Sequence, residues 1–154
     1  MQRLALLFFF GYTGMLLVIG ASGILIAPWE LTHIFSIPLD ALSIEQRASI
    51  LNQYRFLKSA EFAFGVFCIT HRAAIFGGRL GLRVFLCGVF SGVLARLLSL
   101  LVDGMPQWAF LAFAALELVT GVLVWRAADT AASMPAGTSA SPGDPTTPPK
   151  GDSV

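Results

Sequence analysis

Six ionisable side chains, Arg55, Lys58, Glu61, Arg96, Asp103 and Glu117, interrupt or terminate stretches that are otherwise apolar enough to cross a bilayer. A charge at the centre of a membrane costs roughly 2.5 kcal/mol or more, so such residues turn toward a bundle interior and find partners there. The six balance as three cations against three anions. This pattern predicts a small bundle of membrane helices built around a buried polar cluster.

Composition agrees with a lipid solvent. Hydrophobic residues make up 56% of the chain and charged residues only 12%, with a mean hydropathy of +0.76, outside the range of soluble domains. The net charge of +1 comes from scattered cations rather than a basic stripe, so nucleic acid is not expected as a partner.

The expected fold class is all-α, a four-helix transmembrane bundle with a short amphipathic helix in the first extracytoplasmic loop. The spans fall at about residues 4–26, 50–70, 82–102 and 107–125. The first is free of charge and, at ~1.5 Å per residue, reaches ~34 Å, enough for the ~30 Å hydrocarbon core. Arg3 before an apolar run and the small residues Gly20, Ala21 and Ser22 also suit a cleaved signal peptide, but the run continues through Ile26, and its length favours a retained anchor. Pro28 and Trp29 close the span at headgroup level. Beyond them, Leu31, Ile34, Phe35, Ile37, Leu39, Leu42 and Ile44 alternate with polar residues and are broken by Pro38, which suits short amphipathic pieces on the surface, a packed loop or a lid over the bundle mouth. Ser43 with Gln46 three residues later predicts a capped helix start from which the second span grows.

The second span is the most interrupted. On a helical wheel Tyr54, Lys58, Glu61, Gly65 and Cys68 share one face, while Arg55 lies further round and can snorkel outward. A Gly- and Arg-rich turn leads to the third span, and Asp103-Gly104-Met105-Pro106 turns the chain into the fourth. An even number of spans puts both termini on one side. Arg3, Arg72, Arg79, Arg83 and Arg126 fall on that side, so both termini are expected in the cytoplasm, and the protein is expected to be a multi-pass protein of the bacterial inner membrane. The membrane domain then covers residues 1–126, and residues 127–154, poor in anything to bury, form a disordered cytoplasmic tail.

The third span carries the most specific constellation. Gly81, Gly88, Gly92, Ser99 and Asp103 lie within about 80° of Arg96 on a 100° wheel, a stripe of small residues ending in charge. Gly88-x-x-x-Gly92 permits close approach of a neighbouring helix, and a packing seam is the commonest use of such a stripe. Arg96, about fourteen residues from the cytoplasmic end, is expected to pair with Asp103, Glu61 or Glu117. Glu61 and Glu117 reach similar depth and are expected to meet, sharing a proton unless Lys58 or Arg96 intervenes.

Asn52-x-x-Arg55, the stretch Arg96-Leu-Leu-Ser99-Leu-Leu-Val-Asp103-Gly104-x-Pro106 and Glu117 together resemble a family of small bacterial four-helix membrane proteins defined as a domain of unknown function. The likeness extends to about Arg126. Ala95 stands where relatives often have Gly, and Lys58 and Glu61 stand where many are small or Gly-rich. The resemblance implies a fold and a compartment, and no activity.

Catalytic signatures are absent from the sequence. Cys68 and Cys87 form no Cys-x-x-Cys pair, His33 and His71 fall on opposite sides of the membrane, and Ser99 has no His as base, so no catalytic residue, metal or cofactor is expected. Three roles stay open. The first is a structural or accessory subunit, in a homo-oligomer or a membrane complex, whose buried charges set helix register. The second is a binder or carrier of a small lipid- or quinone-like amphiphile whose polar head meets Arg55, Lys58 and Arg96. The third is a membrane enzyme using Glu61 or Glu117 as acid or base.

Overall fold

The computed structural model describes residues 1–132, and all its regular structure is helical. The longest elements are α1 (Gln2–Leu25), α3 (Ile44–Thr70), α5 (Arg79–Val102) and α6 (Trp108–Ala132). Two short helices, α2 (Ala27–Trp29) and α4 (Arg72–Gly77), lie in the connections. Three helices are long and apolar enough to cross a membrane: Gln2–Leu25, Arg79–Val102 and the stretch Trp108–Thr130. The fourth long helix, α3, is not among them, because Glu45, Arg47, Arg55, Lys58 and Glu61 dilute its apolar character.

Local chemistry explains where the elements start and stop. The helical path breaks at Ile26 (φ −111°, ψ 27°) and restarts with Pro28 near the N-terminus of α2, where a missing N–H is harmless. A π-helical turn, Glu30–Ile34, then carries the chain inward, burying Glu30 and Leu31. The segment expected to lie on the surface is therefore anchored at its start, and Leu39, in a 3-10 turn at Leu39–Ala41, is buried as well. The capping box is present: the Gln46 N–H donates to Ser43 Oγ at 3.2 Å and the Ser43 N–H to Gln46 Oε1 at 3.1 Å. From that cap α3 runs unbroken, so the capped helix start and the expected second span are one helix. Gly104, at φ +93°, supplies the left-handed residue between α5 and α6. The fourth helix passes the expected boundary at Arg126 and continues to Ala132, burying Ala127 and Ala128. The remainder of the expected tail lies outside the described residues.

The core is aromatic and aliphatic: Phe9, Tyr12 and Leu16 of α1 meet Cys68, Ile75, Phe85, Val89 and Val124. Phe9 stacks edge-on to Phe76 at 5.2 Å and tilts against Phe85 at 5.6 Å. Around this core the surface stays apolar, with Leu7, Val18, Leu25, Leu80, Leu98 and Leu101 all exposed. An apolar exterior on this scale suits an apolar solvent, as in a membrane protein.

The helices are not packed evenly. The most extensive contact joins α1 to α3; α6 packs on α1 and on α5, and α4 closes against α5 and α6. The backbones of α3 and α5 hardly approach each other. They are bridged by rings, Phe64 standing 6.2 Å from Phe85 and lying against Gly88. Between the long helices, α1 closely approaches the backbone of α3. A Cβ on Gly20 would stand 2.7 Å from the Phe62 amide nitrogen and 2.9 Å from the Lys58 carbonyl oxygen, so the absent side chain sets the distance between α1 and α3.

Gly20→Val is accordingly expected to destabilise the protein by about 1–3 kcal/mol through overpacking against backbone. Gly14→Ala, where a methyl group meets nothing within 4 Å, is expected to be neutral. Thermal unfolding in detergent, followed by size-exclusion recovery, checks the pair, and equal behaviour of the two variants would contradict this packing.

Candidate functional site

Buried charge gathers between the helices beneath the π-helical turn. On α3, Lys58 is 7% exposed, and its methylene stem fills the space that a Cβ on Gly23 would occupy. Gly20 and Gly23 thus act together, the first drawing the helices close and the second leaving room for the lysine. At its tip Nζ donates to Glu61 Oε2 at 2.8 Å and stands 5.4 Å from the centre of the Tyr54 ring. One turn separates the members of this pair along α3, so the helix itself sets their spacing.

The second pair joins two helices. Arg96 of α5 donates through Nε and Nη2 to both oxygens of Glu117 on α6, at 3.1 and 3.2 Å. A planar guanidinium matched to a carboxylate in this fork is the strongest geometry available to such a pair. Gly92 lies beside the Glu117 carboxylate, and a Cβ there would stand 3.3 Å from Oε2. Of the three partners open to Arg96 in the sequence, Glu117 is the one it meets. Lys58 and Arg96 intervene between the two carboxylates, Lys58 pairing with Glu61 and Arg96 with Glu117.

A third acid joins this group from an unexpected place. Glu30, in the π-helical turn, is 6% exposed and accepts from the Ser22 hydroxyl at 2.9 Å and the Tyr54 hydroxyl at 2.6 Å. Next to Pro28 and Trp29 it reads as a headgroup-level residue, and only the inward π-helical turn places it among the other charges. The sequence signal that foreshadows it is the small-residue run from Gly20 to Gly23, which provides both the hydroxyl of Ser22 and the close approach of α3.

The remaining expected members lie elsewhere. Arg55 is exposed, its Nε donating to the Ile24 carbonyl at 3.3 Å near the end of α1, in keeping with outward snorkelling. Ser99 and Asp103 are exposed and bond to each other at 2.8 Å, one turn apart at the end of α5. The glycine stripe has three different neighbours: Gly81 faces Ala74, Gly88 the Phe64 ring and Gly92 the Glu117 carboxylate. It makes room for side chains rather than for a second helix backbone, except beside α4. Among the described residues no group of three His, Cys, Asp or Glu side chains is placed to hold a metal ion.

Glu30, Lys58, Glu61, Arg96 and Glu117 all line one cavity of about 210 Å³. Its remaining walls are apolar and aromatic, including Met15, Ile19, Ile34, Phe35, Phe110 and Phe113. Phe35, just after the π-helical turn, roofs the space by resting between Tyr54 (6.0 Å) and Phe110 (5.3 Å). It is followed by Ser36 at φ +55°, a left-handed residue that turns the chain toward Pro38. Through Ile34 and Phe35 the start of this loop covers the charged cavity.

The Arg96–Glu117 fork makes a specific demand on variants. Arg96→Met alone leaves the buried Glu117 uncompensated and is expected to cost about 3–5 kcal/mol; Glu117→Leu, which leaves the less buried Arg96, is expected to cost less, and the double substitution to recover much of the larger loss. Arg96→Met with Asp103→Leu is expected to show no recovery. Folded yield and thermal stability of the four variants in detergent provide the measurement.

No curated protein and no solved structure matches the chain. A family model does, over residues 4–128, a stretch that holds every residue of the charged cavity. The protein belongs to the family described as a domain of unknown function, DUF4345.

Proposed function

We propose that this protein binds a small amphiphile in the cavity between its helices. The observation that carries the reading is the cavity itself: five ionisable side chains on one part of its wall and a continuous apolar and aromatic surface on the rest. A site with a few placed polar groups in an otherwise hydrophobic pocket suits a molecule with a compact polar head and a hydrocarbon body. The volume accommodates the head and its neighbouring atoms, leaving a longer tail to the lipid. Access is supported by the splayed packing of α3 and α5. The two ionisable cavity residues on those helices with the most exposed side chains are Glu61 (23%) and Arg96 (31%).

In this reading α3 is a fourth membrane crossing, its charges turned to the cavity or to the membrane surface, and the protein is a multi-pass bundle of the bacterial inner membrane. Arg3, Arg72, Arg79, Arg83 and Arg126, taken with the positive-inside rule, support a topology with both termini in the cytoplasm and the cover outside. The accessory-subunit reading is supported by the two ion pairs, which are complete without a ligand, and by the way the second of them, Arg96–Glu117, braces α5 on α6. Those same pairs weaken the enzyme reading, since Glu61 and Glu117 are each held by a cation and neither is a free base.

Native mass spectrometry from lipid tests the binding. Wild-type protein is expected to carry a copurifying molecule; Ala109→Phe, which fills the cavity wall, is expected to lose it, and Ala112→Phe on the exposed side of α6 to keep it. A bare polypeptide mass for wild type, or the same adduct in Ala109→Phe, would overturn the reading. For sidedness, Asp40→Cys in a Cys87→Ala background is expected to react with a membrane-impermeant maleimide in spheroplasts, and reaction only after lysis would reverse the topology.

A further inference from the structure

The cavity is not electrically balanced. Its wall carries two cations, Lys58 and Arg96, and three carboxylates, Glu30, Glu61 and Glu117. Two of the carboxylates are in ion pairs; among the described residues Glu30 has no cationic partner, only the neutral hydroxyls of Ser22 and Tyr54. A carboxylate has about four acceptor positions, so two hydroxyl donors leave capacity for another donor. A buried carboxylate without a counter-charge is unfavourable, and a cation brought beside it removes that cost.

The geometry points to a ligand with a cationic head, an alkylated ammonium group, seated against Glu30. This inference rests on the binding role proposed above and names the chemistry of what is bound. The surroundings suit that head. Tyr54, Phe35, Phe110 and Phe113 contribute ring surface to the same cavity, and aromatic faces attract ammonium groups that carry too many carbon substituents to be well hydrated. Lys58 over the Tyr54 ring shows that this wall already accommodates one cation. An anionic head, by contrast, meets no free cation: Lys58 and Arg96 are occupied by Glu61 and Glu117, and Arg55 does not line the cavity. The sign of the site is therefore opposite to that expected when Arg55, Lys58 and Arg96 are taken as the head-group receptors.

Three probes of one shape and different charge decide the matter: benzyltrimethylammonium, its uncharged carbon isostere neopentylbenzene, and benzylsulfonate. Each is titrated calorimetrically into full-length protein in a non-ionic maltoside detergent, with protein-free micelles as the blank. Wild type is expected to bind the ammonium probe at least about tenfold more tightly than the sulfonate, the scale of one charge-assisted contact. Glu30→Gln is expected to lose about tenfold for the ammonium probe relative to neopentylbenzene. Tyr54→Phe, which removes a neutral donor from Glu30, is expected to retain or strengthen ammonium binding. Neopentylbenzene binding with no preference for cation over anion would overturn the inference while leaving the cavity as a binding site. Unchanged ammonium affinity in Glu30→Gln would overturn it equally. Failure of all three probes to bind wild type would overturn the binding role itself. The sign preference is read on wild type and does not depend on either variant folding.

Discussion

The Arg96–Glu117 fork is the interaction on which the arrangement of this bundle depends. Neither group is tolerable alone away from water, and each is placed by its own helix. Once they meet in two parallel hydrogen bonds, the register and rotation of α5 on α6 are set. Gly92 makes the meeting possible by leaving space beside the carboxylate. The pair also determines what its neighbours can do. With Glu117 taken, Asp103 is left to Ser99 at the end of the helix, and Glu61 is left to Lys58.

Missing side chains matter as much as charged ones. Hydrophobic burial gives little drive to helix association in lipid, so packing distance and polar contacts decide which helices touch. Gly20 brings α1 and α3 together, Gly23 receives the Lys58 stem, and Gly88 receives the Phe64 ring. Where no such close approach exists, between α3 and α5, the helices stand apart and are bridged by aromatic rings. The cavity follows from this unequal packing together with the cover formed by Phe35. It is a space lined by charge, and two ion pairs, Lys58–Glu61 and Arg96–Glu117, hold it in shape.

Much of the architecture was legible before any coordinates. Three of the four expected apolar stretches, the Ser43–Gln46 cap, the turn at Gly104 and the outward path of Arg55 each follow from a local rule, and each of these appears as expected. The cluster was legible only in part. Lys58, Glu61, Arg96 and Glu117 stand out because charge in an apolar run is conspicuous. Glu30 does not, because beside Pro28 and Trp29 a carboxylate looks like an ordinary residue at the membrane surface. Nor does a helical wheel distinguish Asp103 from Glu117 as the partner of Arg96, since it ranks angles on one helix and is blind to the helix opposite.

The amino-acid sequence by itself determined that this chain is helical, that its exterior suits lipid and that ionisable groups must be enclosed, because those properties depend on hydropathy and spacing along a single segment. Tertiary structure alone decided which charge meets which, that Arg55 and Asp103 stay outside while Glu30 enters, and that the enclosed group carries a surplus carboxylate. The physical reason is that charge balance belongs to a volume rather than to a stretch of chain. Residues from α1, the π-helical turn, α3, α5 and α6 enter that volume, and only their packing in three dimensions defines its contents.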